Sequence, residues 1–526
     1  MQDWWRGSVT YQVYPRSFQD SNGDGIGDLP GITARLGHIA ALGVDAIWLS
    51  PFFTSPMADM GYDVADYTDV DPLFGTLADF DALITKAHGL GLRVIIDQVL
   101  NHSSAQHPFF KESRASRDNA RADWYVWADP RPDGTVPNNW LSVFGGTAWE
   151  WDTRRRQYYL HNFLASQPDF NFHNPDVQDW LLSTMRFWLE RGVDGFRLDT
   201  SNFYFHDAAL RSNPPLATND PLPAVNPYEM QDHLYSKTQP ENLGFLARIR
   251  ALLDEYPGRT SVGEVGESQR AVQVMAEYTA GTHRLHMAYS FDMLGPQFTA
   301  AHFRGKIEAF FKGARDGWPA WAFSNHDVIR HVTRWADHGH SDDVARLAAA
   351  MLLSFEGTIY LYQGEELGQT ETEIEFSELT DPPGITFWPE YKGRDGCRTP
   401  MVWDGTAQGG FTTGTPWLPV KAPQLARNVA TQEGVAGSVL EFYRSMLAYR
   451  RGSDALMRGR TQFHDVAEPV LMFDRVVDGA GLTCAFNLSA GTVVVAAKGA
   501  LSGPSQNATV GADGLTLGPN GFAFLM

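Results

Sequence analysis

Short runs of apolar, β-favouring residues recur through the first two-thirds of the chain, with helix-spaced segments between them. Val9–Tyr14 (VTYQVY), Val44–Leu49 (VDAIWL) and Leu92–Val99 (LRVIIDQV) read as strands. Ile32–Leu42 and Leu77–Leu90 read as helices, each stopped by a glycine, Gly43 and Gly91. Strands that are nearly continuous apolar runs fit a parallel sheet covered on both faces. After a helix at Pro175–Arg191, further strands are expected at Gly195–Leu198, Thr260–Glu264, Ala288–Asp292, Trp321–Ser324 and Thr358–Tyr362. Eight strands with helices between them predict a closed (β/α)8 barrel, an α/β fold. An open doubly wound sheet is the alternative. It usually carries a Gly-rich phosphate loop after its first strand, and Gly23, Gly25 and Gly27 do not match G-x-G-x-x-G.

Two stretches interrupt the alternation. Residues 102–172 are rich in Trp, Asn, Pro, Asp and Gly without a sustained period, and read as an irregular subdomain inserted after the third strand. Residues 365–425 read as a long loop after the eighth, before a last barrel helix at Val439–Arg450. From 456 the texture changes to short β-rich runs at Val470–Asp474, Leu482–Asn487, Thr492–Ala497 and Gly521–Met526, as in a small antiparallel domain. The expected division is a barrel over 1–101 and 173–455, the insertion over 102–172, and a C-terminal β domain over 456–526.

Active sites of such barrels form at the C-terminal ends of the strands. Asp97, Asn101 and His102 follow the third strand, Arg197 and Asp199 the fourth. Glu264 ends the fifth, and Asn325-His326-Asp327 follows the seventh. One Asp or His after a strand is usually a cap or a loop hydrogen bonder. Three carboxylates converging with two histidines and an arginine have a chemical use. Glycosidic cleavage needs one carboxylic acid to protonate the leaving oxygen and a second carboxylate to attack the sugar carbon. Arg197 shares a strand face with Asp199 and is expected to keep it ionised, while Glu264 needs a raised pKa to hold its proton.

The segments Asp97–His102 (DQVLNH), Gly195–Asp199 (GFRLD), Glu264 in VGEV, and Ser324–Asp327 (SNHD) closely resemble the motifs of the α-amylase family of glycoside hydrolases. Gln167–Asn171 (QPDFN) resembles the QPDLN signature of its oligo-1,6-glucosidase and α-glucosidase branch, with Phe170 for Leu. The resemblance runs from Tyr11–Pro15 (YQVYP) to the last β domain. It implies Asp199 as nucleophile, Glu264 as acid/base and Asp327 as the third carboxylate. It places Arg197, His102 and His326 around the innermost sugar, Tyr62 stacked on it, and Phe144 and Phe163 among the substrate contacts. It also implies that Asp59 pairs with Arg398, in the run GRDGCRTPM, and closes the pocket beyond one glucose. Thr200 after the nucleophile goes with α-1,4 rather than α-1,6 preference in relatives. The family's implied activity is that of a retaining, exo-acting α-glucosidase, some members of which transfer glucose to alcohols and phenols. Related transferring or isomerising enzymes, of the trehalose or isomaltulose synthase type, are the alternative. A catalytically dead binding barrel is disfavoured because all three carboxylates are present.

Asp20, Asn22, Asp24, Ile26 (through its carbonyl) and Asp28 fall at positions 1, 3, 5, 7 and 9 of a calcium-type loop, with Gly31 where a bidentate Glu usually stands. The resemblance implies a structural Ca2+ or Mg2+ there; a metal-free Gly/Asp turn is the other reading. Two-carboxylate chemistry needs no organic cofactor. The net charge of −20 argues against nucleic acid or an anionic membrane as partner and suits a small neutral α-glucoside. Two cysteines, no basic-then-apolar start and no apolar run of about 18 residues point to a cytoplasmic protein, monomer or homodimer.

Overall fold

Each apolar run pairs with its neighbour in parallel. The structure, a computed structural model, describes residues 3–217 and 225–526; the first two residues and 218–224, both within the expected barrel segments, lie outside the described residues. The eight strands are β1 (Val9–Val13), β2 (Ala46–Leu49), β3 (Arg93–Gln98), β4 (Gly195–Leu198), β5 (Thr260–Val265), β6 (Met287–Ser290), β7 (Ala320–Trp321) and β8 (Thr358–Tyr362). They run in the order β6-β5-β4-β3-β2-β1-β8-β7. A parallel bridge between Ala288 and Pro319 joins the two ends, so the sheet closes into a barrel.

Side chains along a strand alternate between the barrel interior and the surrounding helices. On β2, Ala46 and Trp48 belong to an inner cluster with Ile95, Val262, Met287 and Tyr360. Ile47 and Leu49 pack outward with Ile32, Leu36 and Ile39 of helix Leu29–Leu42. That helix begins at Asp28, whose carboxylate accepts from the Gly31 N–H, and ends at Gly43 in the left-handed region (φ 90°). Leu77–Gly89 starts with a capping box between Thr76 and Asp79.

Two strands are shorter than their apolar runs. β6 stops at Ser290, whose side chain accepts from Asp292 N and starts the turn Phe291–Leu294. β7 stops at Trp321, and the Arg334 guanidinium takes the Phe323 carbonyl instead of a ladder partner.

After β3, residues 127–128, 157–160 and 149–152 form a three-stranded antiparallel sheet around Trp140, Trp149 and Leu160. At the C-terminus six strands form an antiparallel sheet. Two of them, Arg460–Phe463 and Gln506–Gly511, carry mostly polar or exposed residues and leave no apolar run to read.

Candidate active site

Strand register brings the chemistry together. Arg197 on β4 lies beside Asp97 on β3 and Val262 on β5, and Glu264 lies beside Tyr289 on β6. Phe196 and Leu198 pack outward, so Arg197 and Asp199 face the barrel mouth. The mouth opens into a cavity of about 850 Å3 whose lining includes Asp59, Tyr62, His102, Asp199, Glu264 and Asp327. Phe144 and Phe163 line it too, with ring centres 5.5 Å apart.

Arg197 is the hub and is fully buried. Its guanidinium contacts Asp97 Oδ1 (2.9 Å), Asp199 Oδ1 (2.5 Å) and Glu264 Oε2 (2.8 Å), and donates to the Tyr289 hydroxyl (2.9 Å). The two proposed reacting acids therefore flank one guanidinium. Each has one oxygen committed and one available. Asp199 Oδ1 is held by Arg197, while among the described residues Oδ2 faces only the Thr200 hydroxyl, at 3.3 Å. Glu264 Oε2 accepts from Arg197 and from Thr200 N (2.9 Å), so a proton on this carboxyl belongs on Oε1. Thr200 makes that donation from a left-handed backbone (φ 43°), a strained conformation for a β-branched residue.

Glu264 has the raised pKa expected of it; the expectation that Arg197 keeps Asp199 ionised needs correction, because Arg197 touches both acids. Burial pushes both carboxyls up to about 7, against the pull of Arg197 and with help from the like charges around them. Asp97 is raised to about 6 for the same reason. Such groups titrate as a set, so the cluster near neutral pH holds a shared proton. What assigns it is the position of the leaving oxygen. Asp327 behaves differently. Burial opposes its charge, but the His326 ring and the guanidiniums of Arg394 and Arg398 hold it below the usual carboxylate range. Burial takes His326 and His102 down to about 3, so both are neutral near neutral pH.

The pocket-closing pair is Asp59 with Arg394, not Asp59 with Arg398. Arg394 reaches Asp59 Oδ1 (3.1 Å), Asp327 Oδ1 (3.2 Å) and buried Asp381 Oδ1 (2.6 Å), over the Phe144 ring at 4.9 Å. Arg398 lies one helical turn further on, fully buried, and donates to the His326 carbonyl (2.7 Å) and Asp327 Oδ1 (3.0 Å). The run GRDGCR offers two arginines four residues apart, and only the first faces the cavity. Arg197, His326 and Arg398 sit behind the cavity wall and act through the groups that line it.

Sequence reasoning missed the supports. Gln12 Nε2 faces His326 Nδ1 at 2.8 Å, so the His326 proton sits on Nε2, toward the Tyr62 hydroxyl (2.5 Å) and Asp327 Oδ2 (3.4 Å). The Tyr62 hydroxyl also donates to Asp97 Oδ2 (3.1 Å), and its ring lies 4° from parallel with His326. Gln167 donates to Asp59 Oδ2 (3.0 Å). Gln167 belongs to the QPDFN run, whereas Asp381 lies in a stretch without a sequence signal.

The Asp20–Asp28 loop is wound around its own oxygens. Asp20 Oδ1 accepts from the N–H groups of Asn22 (2.9 Å) and Gly23 (2.8 Å), Asn22 Oδ1 from Asp24 N (2.8 Å), and Asp24 Oδ1 from Ile26 N (2.9 Å). Asp20 Oδ2 accepts from Gly25 N (2.9 Å) and the Thr412 hydroxyl, and Asp28 Oδ1 caps its helix at Gly31 N (2.6 Å). Among the described residues no three His, Cys, Asp or Glu side chains gather as a metal group. A cation here would draw on the Asn22 amide and the Ile26 carbonyl as well. That all-oxygen donor set suits a hard cation, so the residues fit Ca2+ or Mg2+.

The chain is similar to several known proteins. The family described as alpha amylase, catalytic domain, matches residues 12–459. A protein of Rhizobium meliloti (strain 1021) named "Probable alpha-glucosidase" is 59% identical over 93% of this chain and 90% of its own length. An oligo-1,6-glucosidase of Heyndrickxia coagulans is 37% identical, over 94% and 93%. Among solved structures, an alpha-glucosyl transfer enzyme, XgtA, superposes with a TM-score of 0.95 at 54% identity, over 99% of each chain. The trehalulose synthase MutB of Pseudomonas mesoacidophila MX-45 gives 0.89 at 32%, again over 99% of each.

Proposed function

Since the chain belongs to the α-amylase family of glycoside hydrolases, we propose that it is a retaining, exo-acting α-glucosidase. It releases glucose from the non-reducing end of maltose and other short α-glucosides, prefers α-1,4 linkages, and transfers part of the glucose to other hydroxyls. The observation that carries this reading is the pair Asp199 and Glu264 on one guanidinium, at the floor of a pocket shut on one side by Arg394 with Asp59 and Asp381.

In this reading Asp199 Oδ2 attacks the anomeric carbon while Glu264 Oε1 gives its proton to the leaving oxygen. The carboxyl pair needs a separation of about 5–5.5 Å for such a double displacement. Glu264, now ionised, takes the proton of an incoming water or alcohol, and the bond to Asp199 breaks with its electron pair returning to the carboxylate. Two inversions leave the α configuration. Asp327, held anionic by Arg394 and Arg398, accepts hydrogen bonds from sugar hydroxyls and favours the distorted ring with its developing positive charge. The outer lining, with Phe203, Tyr228, Phe291, Phe387 and Tyr391, presents aromatic faces to a leaving or accepting group. The α-1,4 preference rests on Thr200, which lines the cavity beside Asp199.

Following maltose and isomaltose cleavage by proton NMR tests this directly. Maltose is expected to react faster, and p-nitrophenyl α-glucoside, which frees only one glucose, is expected to give α-glucose as the first-formed anomer. First-formed β-glucose from that donor overturns the retaining mechanism. Disaccharide isomers as the main product favour the second reading, an isomerase, which the likeness to trehalulose synthase supports.

The loop from Asp20 to Asp28 is proposed to hold one structural Ca2+ or Mg2+ through Asp20, Asn22, Asp24, the Ile26 carbonyl and Asp28. It packs on residues 411–417 of the long segment that carries Arg394 (Asp20 N to Phe411 O, 3.0 Å; Trp417 N to Gly25 O, 3.0 Å). Chelation is expected to lower the thermal midpoint by several degrees and leave turnover at 25 °C largely intact. Identical melting in EDTA and in millimolar Ca2+ or Mg2+ counts against the metal. No helix among the described residues is long and apolar enough to cross a membrane. Both cysteines, Cys397 and Cys484, are buried and free, which suits a reducing cytoplasm; a monomer or homodimer is proposed.

A further inference from the structure

Residues 225–238 wall the outer cavity with little regular structure, a single turn at Pro227–Met230. Lys237 fastens this wall. It is 4% exposed, and its Nζ donates to the carbonyl of Gly266 (2.7 Å), two residues past Glu264, and to the Tyr228 hydroxyl (2.9 Å). The ammonium lies 4.9 Å from the Phe203 ring centre. The next residue, Thr238, is left-handed (φ 55°) and gives its N–H to the Asn202 carbonyl (2.6 Å), three residues past Asp199. The Asn202 amide in turn donates to Thr238 Oγ1 (2.9 Å) and the Gly266 carbonyl (3.2 Å). Lys237 and Thr238 thus tie the wall to the ends of β4 and β5 at once.

Burying an ammonium here carries a desolvation cost that an apolar side chain would not. Lys237 makes no carboxylate ion pair within 4.0 Å among the described residues, and burial takes its pKa down to about 8 against the partial help of Glu267. A buried ammonium without a direct counter-ion is costly unless its donors are used. Two of its three N–H groups go to the acid/base strand and to an aromatic residue of the wall.

We propose that Lys237 is a positioning residue for the acceptor side of the cavity, setting how the glucosyl-enzyme is shared between water and an acceptor hydroxyl. The proposal rests on the retaining reading above. In the step it governs, the acceptor oxygen bonds to the anomeric carbon, the Asp199 ester bond breaks with its electron pair returning to the carboxylate, and the acceptor proton goes to Glu264. Water follows the same course without a wall to hold it, so wall geometry weighs on transfer more than on hydrolysis.

The experiment uses α-glucosyl fluoride as donor, whose small leaving group makes no demand on the wall, and benzyl alcohol as acceptor. Lys237→Met is expected to lower the ratio of benzyl α-glucoside to free glucose about tenfold, with fluoride release falling less than about threefold. Lys237→Arg, which keeps donors, recovers part of the ratio. Tyr228→Phe, a milder change, shifts it about threefold in the same direction and serves if the methionine variant fails to fold. Ratios within twofold of wild type, or transfer and fluoride release falling in step, overturn the proposal. A wild type that makes no benzyl glucoside overturns it as well, because no partition then exists. A wild type that releases no fluoride sinks the retaining reading itself.

Discussion

Replacing Asp199 with alanine is expected to cut α-glucoside hydrolysis by about 10⁴–10⁶-fold with the fold intact, the scale seen when a group that forms the covalent intermediate is removed. The size of the loss follows from geometry. Among the described residues Asp199 Oδ2 has no donor but the Thr200 hydroxyl, and neither neighbouring aspartate offers a free oxygen in its place. Asp97 is on the hub but spends Oδ2 on Trp48 and Tyr62. Asp327 spends Oδ1 on two arginines. Stability should move the other way. The folded pKa of Asp199 is raised to about 7 by burial, so the native state favours its neutral form. Its contribution to stability is therefore present below the carboxylate range of the unfolded chain and is lost as pH rises through the folded value. At neutral pH and above, the charged group is a burden, and Asp199→Asn, which can still accept from Arg197, is expected to melt at or above the wild-type temperature. Azide added to Asp199→Ala should enter the vacated face and yield β-glucosyl azide. An α-configured azide, or a loss of under tenfold in the alanine variant, removes Asp199 from the nucleophile's role.

The parts of this molecule legible in its sequence are those where one residue's chemistry suffices. Barrel strands are buried on both faces, so a charged side chain within them stands out: Arg197 in GFRL and Glu264 in TSVGEV. Loop partners are less visible because their identity depends on where a flexible run comes to rest. Arg394 and Arg398 are alike as residues and differ only in that a short helical turn aims one at the cavity and the other at the His326 carbonyl. Asp381 lies 13 positions before Arg394 in a stretch with no period, and only the folded segment shows that its carboxylate takes both the Arg394 backbone N–H (2.8 Å) and its guanidinium. Gln12 reads as one more residue of an apolar strand, yet its inward face puts an amide on His326 and sets that ring's tautomer. The expectation that Asp199 is kept ionised failed for a related reason. A charge two residues from Asp199 along β4 is visible in the sequence; the neighbouring strand that brings Glu264 equally close to the same charge is not.

That shared charge makes Glu264→Gln the more discriminating variant. Glutamine keeps an acceptor for Thr200 N and fills the same space, but it can neither donate the catalytic proton nor accept one from water. With maltose the leaving sugar oxygen needs that proton, and kcat/KM is expected to fall by about 10³–10⁴-fold, the contribution of a positioned general acid. With α-glucosyl fluoride the leaving group departs without the carboxyl's proton, so the first step should lose about tenfold or less. Return of the enzyme to its free form, which needs Glu264 as base, then becomes the slow step. A burst of fluoride followed by slow turnover is the expected trace. The pH profile gives an independent check. In the wild type, activity on maltose requires the proton on Glu264, so kcat/KM declines as pH rises through a value near 7, where burial and the neighbouring carboxylates place this group. It declines again on the acid side, as the cluster takes up a second proton and Asp199 is neutralised. In Glu264→Gln the alkaline limb should vanish from the residual activity on maltose while the acid limb persists, displaced downward, because Asp199 has lost a like-charged neighbour and keeps Arg197. An alkaline limb that survives unchanged in the glutamine variant means that the proton comes from a group other than Glu264.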